Sequence, residues 1–354
     1  MTPFHPLSTV EQLAAHLREE ILRGTLGDNM PGVNRLSRTL GVSPKTVMAA
    51  VKQLEREGML QGQGQRRRSR TIVPENFAPP ALRVAILPYE EPDRTLHFLL
   101  DLQHQLQQAG HTIVFAVKTL RNLAMDAKRV ARFVNENTAD AWVVLGGSRE
   151  ILDWFADQSV PAFALFGRRR GVRIAGGGPN KLPALLQAVD RLVALGHRRM
   201  VMLVREERRK PQPGLFERSF LDAIAAHGLS TSTFNLPDWE DDAESFRHCL
   251  DTLFQVTPPS ALIIDQSFLF TAAQHHLARR GILAPEQVSL VCTDPDPSFD
   301  WSHPSVAHIR WDSQQVVRRI VRWADNVACG KDDRRQTFTK AEFIEGGTIG
   351  PPVS

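Results

Sequence analysis

Val10, Leu13, Ala14, Leu17, Ile21 and Leu22 recur at three- and four-residue spacing, which is one face of an amphipathic helix. Ser8 or Thr9 is placed to cap it, and Gly24 lies just beyond its last turn. A second, short helix is predicted over 34–40, with Val33, Leu36 and Leu40 turned inward and Gly41 making the turn. Ser43 then stands as an N-cap with Pro44 at the first helical position. The third helix runs over 44–57, buries Val47, Ala50, Val51 and Leu54, and ends at Gly58. Lys45, Met48, Ala49 and Lys52 fall on its opposite face. A helix, a glycine turn and a second capped helix make a helix-turn-helix pattern. Two short strands, at 59–61 and 71–73, bracket a glycine-rich turn and an arginine run, as a β-wing would. The stretch 74–80 (PENFAPP) has no periodicity and reads as a linker.

Beyond residue 82 the pattern changes. Apolar runs are predicted as strands at 83–87, 112–117, 141–145, 162–166, 200–204, 261–265 and 288–292. Helical stretches lie among them, at about 95–109, 121–137, 148–157, 180–195, 215–227, 242–255, 267–280 and 313–329. Nearly continuous apolar strands separated by helices mean βαβ units and a parallel sheet buried on both faces. The fold class is therefore α/β behind a helical and winged first domain.

The chain has 354 residues, 42% hydrophobic and 23% charged, an ordinary globular composition sufficient for two or three domains. No run approaches the ~18 apolar residues of a membrane span, and the first residues lack the pattern of a secretory signal. Cys249, Cys292 and Cys329 are odd in number and far apart, which argues against a disulfide framework or a zinc site and for a reducing cytoplasm. The net charge is +4, and residues 1–76 carry 11 basic against 7 acidic side chains. The rest of the chain is balanced, so the excess sits on the first domain and implies a polyanion partner.

The stretch from Met30 to Val73 resembles the winged helix-turn-helix of the GntR family: the P-x-x-x-x-L turn, GVS-x-x-TV, LExEG and the wing stand in order. The resemblance covers about 7–74 and implies double-stranded operator DNA as partner. It places Ser43, Pro44, Lys45, Thr46, Met48 and Lys52 toward a groove. Gly64, Arg66, Arg67, Arg68 and Arg70 are placed in a wing that follows phosphates or enters a minor groove. Where family members commonly carry a DNA-touching arginine this chain has Asn34, with Arg35 beside it. Pro44 and Met48 likewise stand where the family usually has arginines, so the operator is not carried over.

Three stretches beyond the linker resemble the LacI-type effector domain, which shares the fold of periplasmic sugar-binding proteins: LGHRR followed by MVMLV, FERSFLDAIAAHGL, and 258–297. Together they cover about 83–350. The resemblance implies two doubly wound lobes, about 83–173 with 308–335 and about 174–307 with 336–354. The chain would cross near 170–175, 295–307 and 335, and a ligand would lie in a cleft at the carboxyl ends of the strands. The expected division is 1–76 for DNA binding, 77–82 for the linker and 83–354 for ligand binding and dimerisation.

Asp294 matches the family aspartate that accepts hydrogen bonds from sugar hydroxyls, a role a carboxylate suits. It also reads as a turn cap. Gln266 and Ser267 replace the family's Asn-Asp pair. Phe216 stands where the family often has a ligand-clamping arginine, with Arg218 two residues on and Arg208 or Arg209 as substitutes. Arg168, after the strand at 162–166, and Tyr89, the only tyrosine, are further candidates. Each of these also reads as a surface or packing residue. The run Arg168-Arg169-Arg170 suits a phosphorylated or acidic effector, or is a solvated loop. Gly176-Gly177-Gly178 is a flexible turn, not a nucleotide cradle, and His275, His276 and Glu286 lack metal-ligand spacing.

No nucleophile elbow, H-E-x-x-H motif or Walker loop is present, and no cofactor is expected. The expectation is a cytoplasmic, homodimeric transcription regulator, not an enzyme, whose operator affinity is set by a sugar or sugar derivative. Two alternatives stand beside it. One is a constitutive dimeric DNA binder with a degenerate ligand domain. The other is a sugar-phosphate enzyme with an appended DNA-binding domain.

Overall fold

The computed structural model describes residues 9–22, 26, 30–56, 59–61, 70–71 and 80–353. The first element, α1 (Thr9–Leu22), is followed by α2 (Val33–Leu40) and α3 (Pro44–Arg56). Leu13, Ala14 and Leu17 of α1, Leu36 of α2, and Val47, Ala50 and Leu54 of α3 form one buried cluster. Gly41 closes α2 at φ +65°, a conformation that costs a glycine nothing and sets the angle between the two helices. Ser37 Oγ donates to the carbonyl of Val42 at 2.6 Å and fixes that turn. β1 (Leu60–Gln61) and β2 (Arg70–Thr71) pair antiparallel, Leu60 opposite Thr71, as the base of the wing.

The chain forms two compact units: 1–165 with 171–176 and 317–335, and 166–170 with 177–316 and 336–354. In the first unit the chain builds β3 (Arg83–Leu87), α4 (His97–Gln108), β4 (Thr112–Phe115), α5 (Ala127–Glu136), β5 (Ala141–Leu145), α6 (Arg149–Ala156), β6 (Ala162–Leu165) and β7 (Ala175–Gly177). The sheet order is β4-β3-β5-β6-β7, and β4, β3, β5 and β6 run parallel. Ala85, Leu87, Trp142 and Val144 pack with Phe133 of α5 and Phe155 of α6 in one buried cluster.

The second unit contains β8 (Pro179–Asn180), α7 (Leu182–Leu195), β9 (Met200–Leu203), α8 (Glu206–Arg209), α9 (Leu215–Ala226), α10 (Ala243–Val256), β10 (Ala261–Ile264), α11 (Ser267–Arg279), β11 (Ser289–Cys292) and β12 (Ala307–Trp311). α12 (Ser313–Ala328) and β13 (Thr339–Ile344) follow. The sheet order is β8-β13-β12-β11-β10-β9, with β9 to β12 parallel and β13 antiparallel to β12. Leu203, Ile264 and Cys292 lie in register. The residues that follow each strand therefore share one edge of the sheet.

The crossing expected near 295–307 falls elsewhere. β12 is bonded to β11 and β13, so it belongs to the second sheet, and the chain changes units inside α12, between Val316 and Val317. The unit boundaries at 170/171, 176/177 and 335/336 fall near the other two expected crossings.

Candidate functional site

The first candidate surface is α3. Ser43 Oγ accepts the amide N–H of Thr46 at 3.1 Å and lies 2.7 Å from its hydroxyl, so these two side chains secure the helix start. With Val47, Ala50 and Leu54 buried, Lys45, Met48, Lys52 and Arg56 project on one narrow stripe, Met48 at 51% exposure. Asn34 and Arg35 of α2 are exposed, and so is Arg38. Arg38 and Arg56 extend the basic surface beyond the residues singled out in the sequence; their signal was a charge three or four places from an already chosen position. Gly64, Arg66, Arg67 and Arg68 lie outside the described residues. Arg70 is placed by its backbone, opposite Gln61.

The second candidate surface is the edge of the second sheet beyond β9, β10 and β11. Arg205 follows β9 and is 3% exposed; its Nε donates to Gln266 Oε1 at 2.8 Å, and its guanidinium lies 4.9 Å from the Phe268 ring. Arg208 bridges two buried carboxylates, Nη1 to Asp265 Oδ1 at 2.7 Å and Nε to Glu217 Oε1 at 2.6 Å. Its guanidinium also lies 5.0 Å from the Phe216 ring. Burial opposes the charge on Arg208, but Asp265, Glu217, Glu207 and Asp294 outweigh it and hold the guanidinium more strongly protonated than usual. Burial likewise disfavours ionised Asp265, but Arg208, Lys181, the Thr293 hydroxyl and Arg205 hold its carboxyl below the usual range. Thr293 Oγ1 donates to it at 2.9 Å.

Asp294 lies one residue past Thr293. Its Oδ1 takes Lys181 Nζ at 2.5 Å and Trp311 Nε1 at 3.1 Å. Gln266 has φ +63° and ψ +140°, a backbone conformation L residues rarely adopt, and it opens α11. Asp294, Gln266 and Phe216 are thus gathered at one edge with Lys181, Arg205, Arg208, Glu217 and Asp265.

Other sequence candidates are placed differently. Arg168 Nη2 donates to the carbonyls of Glu207 at 2.8 Å and Gln212 at 2.9 Å, so it clamps the loop that carries Arg208. Arg209, one residue on, points away from Asp265: it is 6% exposed, binds the Val204 carbonyl at 3.0 Å, and engages Asp238 and the Trp239 carbonyl. Arg218 is exposed on α9. Tyr89, 6% exposed, packs in the core of the first unit, its ring beside Gly146. Among the described residues no group of three or more His, Cys, Asp or Glu is arranged to hold a metal ion, and no helix is long and apolar enough to cross a membrane.

Two family models match parts of the chain. The model for bacterial regulatory proteins of the gntR family matches residues 9–68. The model for the periplasmic binding protein-like domain matches 189–349. No curated protein sequence matches the chain. Among solved structures it is similar to a LacI family transcriptional regulator from Enterococcus faecium with bound ribose, at 12% identity and TM-score 0.60, covering 76% of this chain and 99% of that one. A LacI-type transcription regulator from Bifidobacterium animalis matches at 18% identity and TM-score 0.61, covering 75% and 98%. A LacI family regulator from Weissella paramesenteroides with bound sucrose matches at 14% identity and TM-score 0.59, covering 76% and 98%. At these identities the likeness is one of fold.

Proposed function

Because the chain joins a GntR-family winged helix-turn-helix to a LacI-type periplasmic-binding-protein-like domain, we propose that it is a transcription regulator whose operator affinity is set by a small molecule. The observation that carries this reading is the presence in one chain of both surfaces: the basic stripe Lys45, Lys52 and Arg56 on α3, and the polar sheet edge around Asp265 and Asp294. The division is 1–76 for DNA, 77–82 as linker and 83–354 for ligand and subunit contacts. Two copies present two winged helices to a two-fold operator, in the cytoplasm, where the DNA is.

On the DNA side the reading assigns Asn34, Arg35, Lys45, Met48 and Lys52 to the duplex, with the wing arginines on phosphates. On the ligand side it assigns Asp294, Gln266, Phe216 and Arg208, held in place by Arg168. The effector is a sugar or sugar derivative, whose hydroxyls suit a carboxylate and an amide. Its effect on DNA is a coupling between two sites, reciprocal by linkage. On this reading the protein acts by binding and not by turnover, in line with the regulators it is similar to.

Selection of duplexes from a genomic library by the full chain, followed by fluorescence anisotropy with and without candidate sugars, tests this. A selected duplex that binds well above random DNA and is released or tightened by one sugar is the expected result. Binding no better than to random DNA refutes it. One observation favours a second reading, a constitutive regulator with a silent ligand domain: Asp294 already has two partners, Lys181 and Trp311. Selected DNA that responds to no ligand is its signature.

A further inference from the structure

Arg169 differs from Arg168, Arg205, Arg208 and Arg209 of the second unit in how its guanidinium is paired. It is 7% exposed, in the segment that follows β6. Nη1 makes one long contact, to the Phe166 carbonyl at 3.4 Å, and the guanidinium lies 4.8 Å from the Phe338 ring. Nε and Nη2 are buried with no hydrogen-bond partner. The Gly178 backbone is beside Nη2: a Cβ there would sit 3.5 Å from it, and 2.9 Å from the Phe166 ring. Among the described residues, the groups recorded against this guanidinium, the Phe166 carbonyl, the Phe338 ring and the Gly178 backbone, are neutral.

Its neighbours in sequence differ. Arg168 is satisfied by the carbonyls of the 207–212 loop, and Arg170 is exposed. Arg205 and Arg208 are buried or half-buried too, but each faces a carboxylate or an amide oxygen. Buried guanidinium groups with two unanswered N–H positions are rare in folded proteins, because a desolvated charge without a counter-charge is costly. Burial alone, with no acidic side chain to offset it, lowers the Arg169 pKa to about 10. The group is still a cation at neutral pH, and a planar fork with free N–H donors is matched by an oxyanion.

We propose that Arg169 is the centre of an oxyanion-binding site, and that the negative group it receives is a phosphate or carboxylate carried by the effector. This rests on the reading of the second unit as a ligand domain and narrows it: the effector is a sugar phosphate or sugar acid, not a neutral sugar. Phe338 covers one face of the guanidinium, which limits water there and strengthens the pairing once the anion is in place.

The test uses the full chain and its thermal midpoint, in chloride buffer of constant ionic strength. Inorganic phosphate, glucose, glucose 6-phosphate and gluconate are the probes. Inorganic phosphate, and one or both of the anionic sugars, are expected to raise the midpoint by about 5–10 °C at ~100-fold over Kd, with glucose inert. In Arg169→Met the response to phosphate should vanish, while the midpoint without anion should equal or exceed that of the wild type, since the unpaired charge is gone. Arg169→Lys keeps charge without the fork and should weaken phosphate binding at least ~10-fold.

A phosphate response unchanged in both variants overturns the proposal, as does no phosphate response in the wild type. A lower midpoint for Arg169→Met in the chloride buffer without phosphate or sugar also overturns it, because the guanidinium would then be satisfied in the free protein. A neutral sugar that binds without phosphate dependence sinks the oxyanion site and leaves the ligand domain standing. Phosphate bound through Arg169 with no response to any sugar keeps the site and removes the sugar effector.

Discussion

Arg208 holds Asp265 and Glu217, each 2% exposed, in a single buried arrangement. Arg208→Met keeps the length of the side chain and removes the charge, leaving two carboxylates buried without their nearest cation. Breaking one buried pair costs about 3–5 kcal/mol. The Arg208 side chain is 26% exposed, so the lower end applies, about 3 kcal/mol. At roughly 2–4 °C per kcal/mol for a domain of this size, the ligand domain should melt about 6–12 °C lower. The loss should depend on pH. In the wild type the folded-state pKa of Asp265 is depressed, so its contribution is complete above the unfolded value of ~3.9 and disappears as pH falls through the folded one. In Arg208→Met the burial that disfavours the charged form remains while the strongest of the opposing cations is gone. The variant's deficit is then greatest near neutrality and shrinks as pH falls. Calorimetric scans of both proteins from about pH 7.5 to pH 5 check this. Adding Asp265→Asn and Glu217→Gln to the variant should return more than half of the loss. A deficit under about 2 °C, or one that stays constant over that range, would show that Arg208 is not the counter-charge of these carboxylates.

Lys45→Ala should weaken DNA binding, and if Lys45 meets a phosphate the salt slope should fall by ~0.9; equal affinity and slope would remove Lys45 from the interface. Ser43→Ala removes the acceptor of the Thr46 amide and should cost the first domain about 1 kcal/mol, measured by its melting transition; no change would show that the cap is idle. Asp294→Ala should abolish the midpoint shift given by a sugar whose hydroxyls it binds, and a retained shift would place the sugar elsewhere. Asp333 is held to about pKa 2: burial raises it, but hydrogen bonds from Arg335 and Asn326 and the charge of Arg319 lower it further. Its share of stability is therefore present above pH ~4 and lost as pH falls toward 2, and Asp333→Asn should flatten stability over that window; an unchanged acid profile would refute it.

The helices of the first domain were legible because each carries its own punctuation. Gly41 in the left-handed region and the Ser43–Pro44 start are local signals, and α3 begins and ends within a residue of the expected bounds. Six of the seven apolar strands were legible for a similar reason: a strand covered on both faces has to be apolar throughout. β4, at the edge of its sheet and only partly buried, was legible from its apolar run alone. β12 and β13 were missed. Their burial alternates, because β13 runs antiparallel at that side of the sheet and leaves every second side chain toward solvent. With β12 unseen, the crossing inside α12 had no signal. β7 and β8 are two or three residues of Ala, Gly, Pro and Asn, chosen by their neighbours and not by propensity.

The sheet edge was half legible. Asp294 was marked because it follows an apolar strand and matches the family aspartate, and Gln266 because it stands where the family has asparagine; Arg205 and Asp265 carry a more general signal, a charge directly after a buried run. Glu217 carried none. It lies inside the apolar repeat of α9, and only the fold shows that Arg208 reaches it. Arg208 and Arg209 differ by one helical step, about 100°. That step sends one toward Asp265 and the other toward Asp238 and Trp239, a choice that spacing alone leaves open.

The balance of charges at this edge bears on whether the ligand domain is silent. Asp265, Glu217 and Arg205 are each at most 3% exposed. Apolar residues of similar volume at such positions would commonly match or improve stability. Gln266 adds a strained backbone, a cost of order 1–3 kcal/mol that persists only where the surroundings impose it. A domain kept only to join two subunits gains nothing from either feature at the edge of its sheet. A domain that binds a polar ligand gains orientation: Arg168 fixes the 207–212 loop, that loop fixes Arg208, and Arg208 fixes Asp265 and Glu217. Lys181 and Trp311 on Asp294 fit the same logic, since a carboxylate already held by two donors keeps its position and has lone pairs left for a hydroxyl. The pairing that first suggests a site already filled is thus a site held in shape. Lys181→Met separates the two: it should weaken a ligand that uses Asp294 by displacing that carboxylate, and it should leave DNA binding by a silent domain untouched.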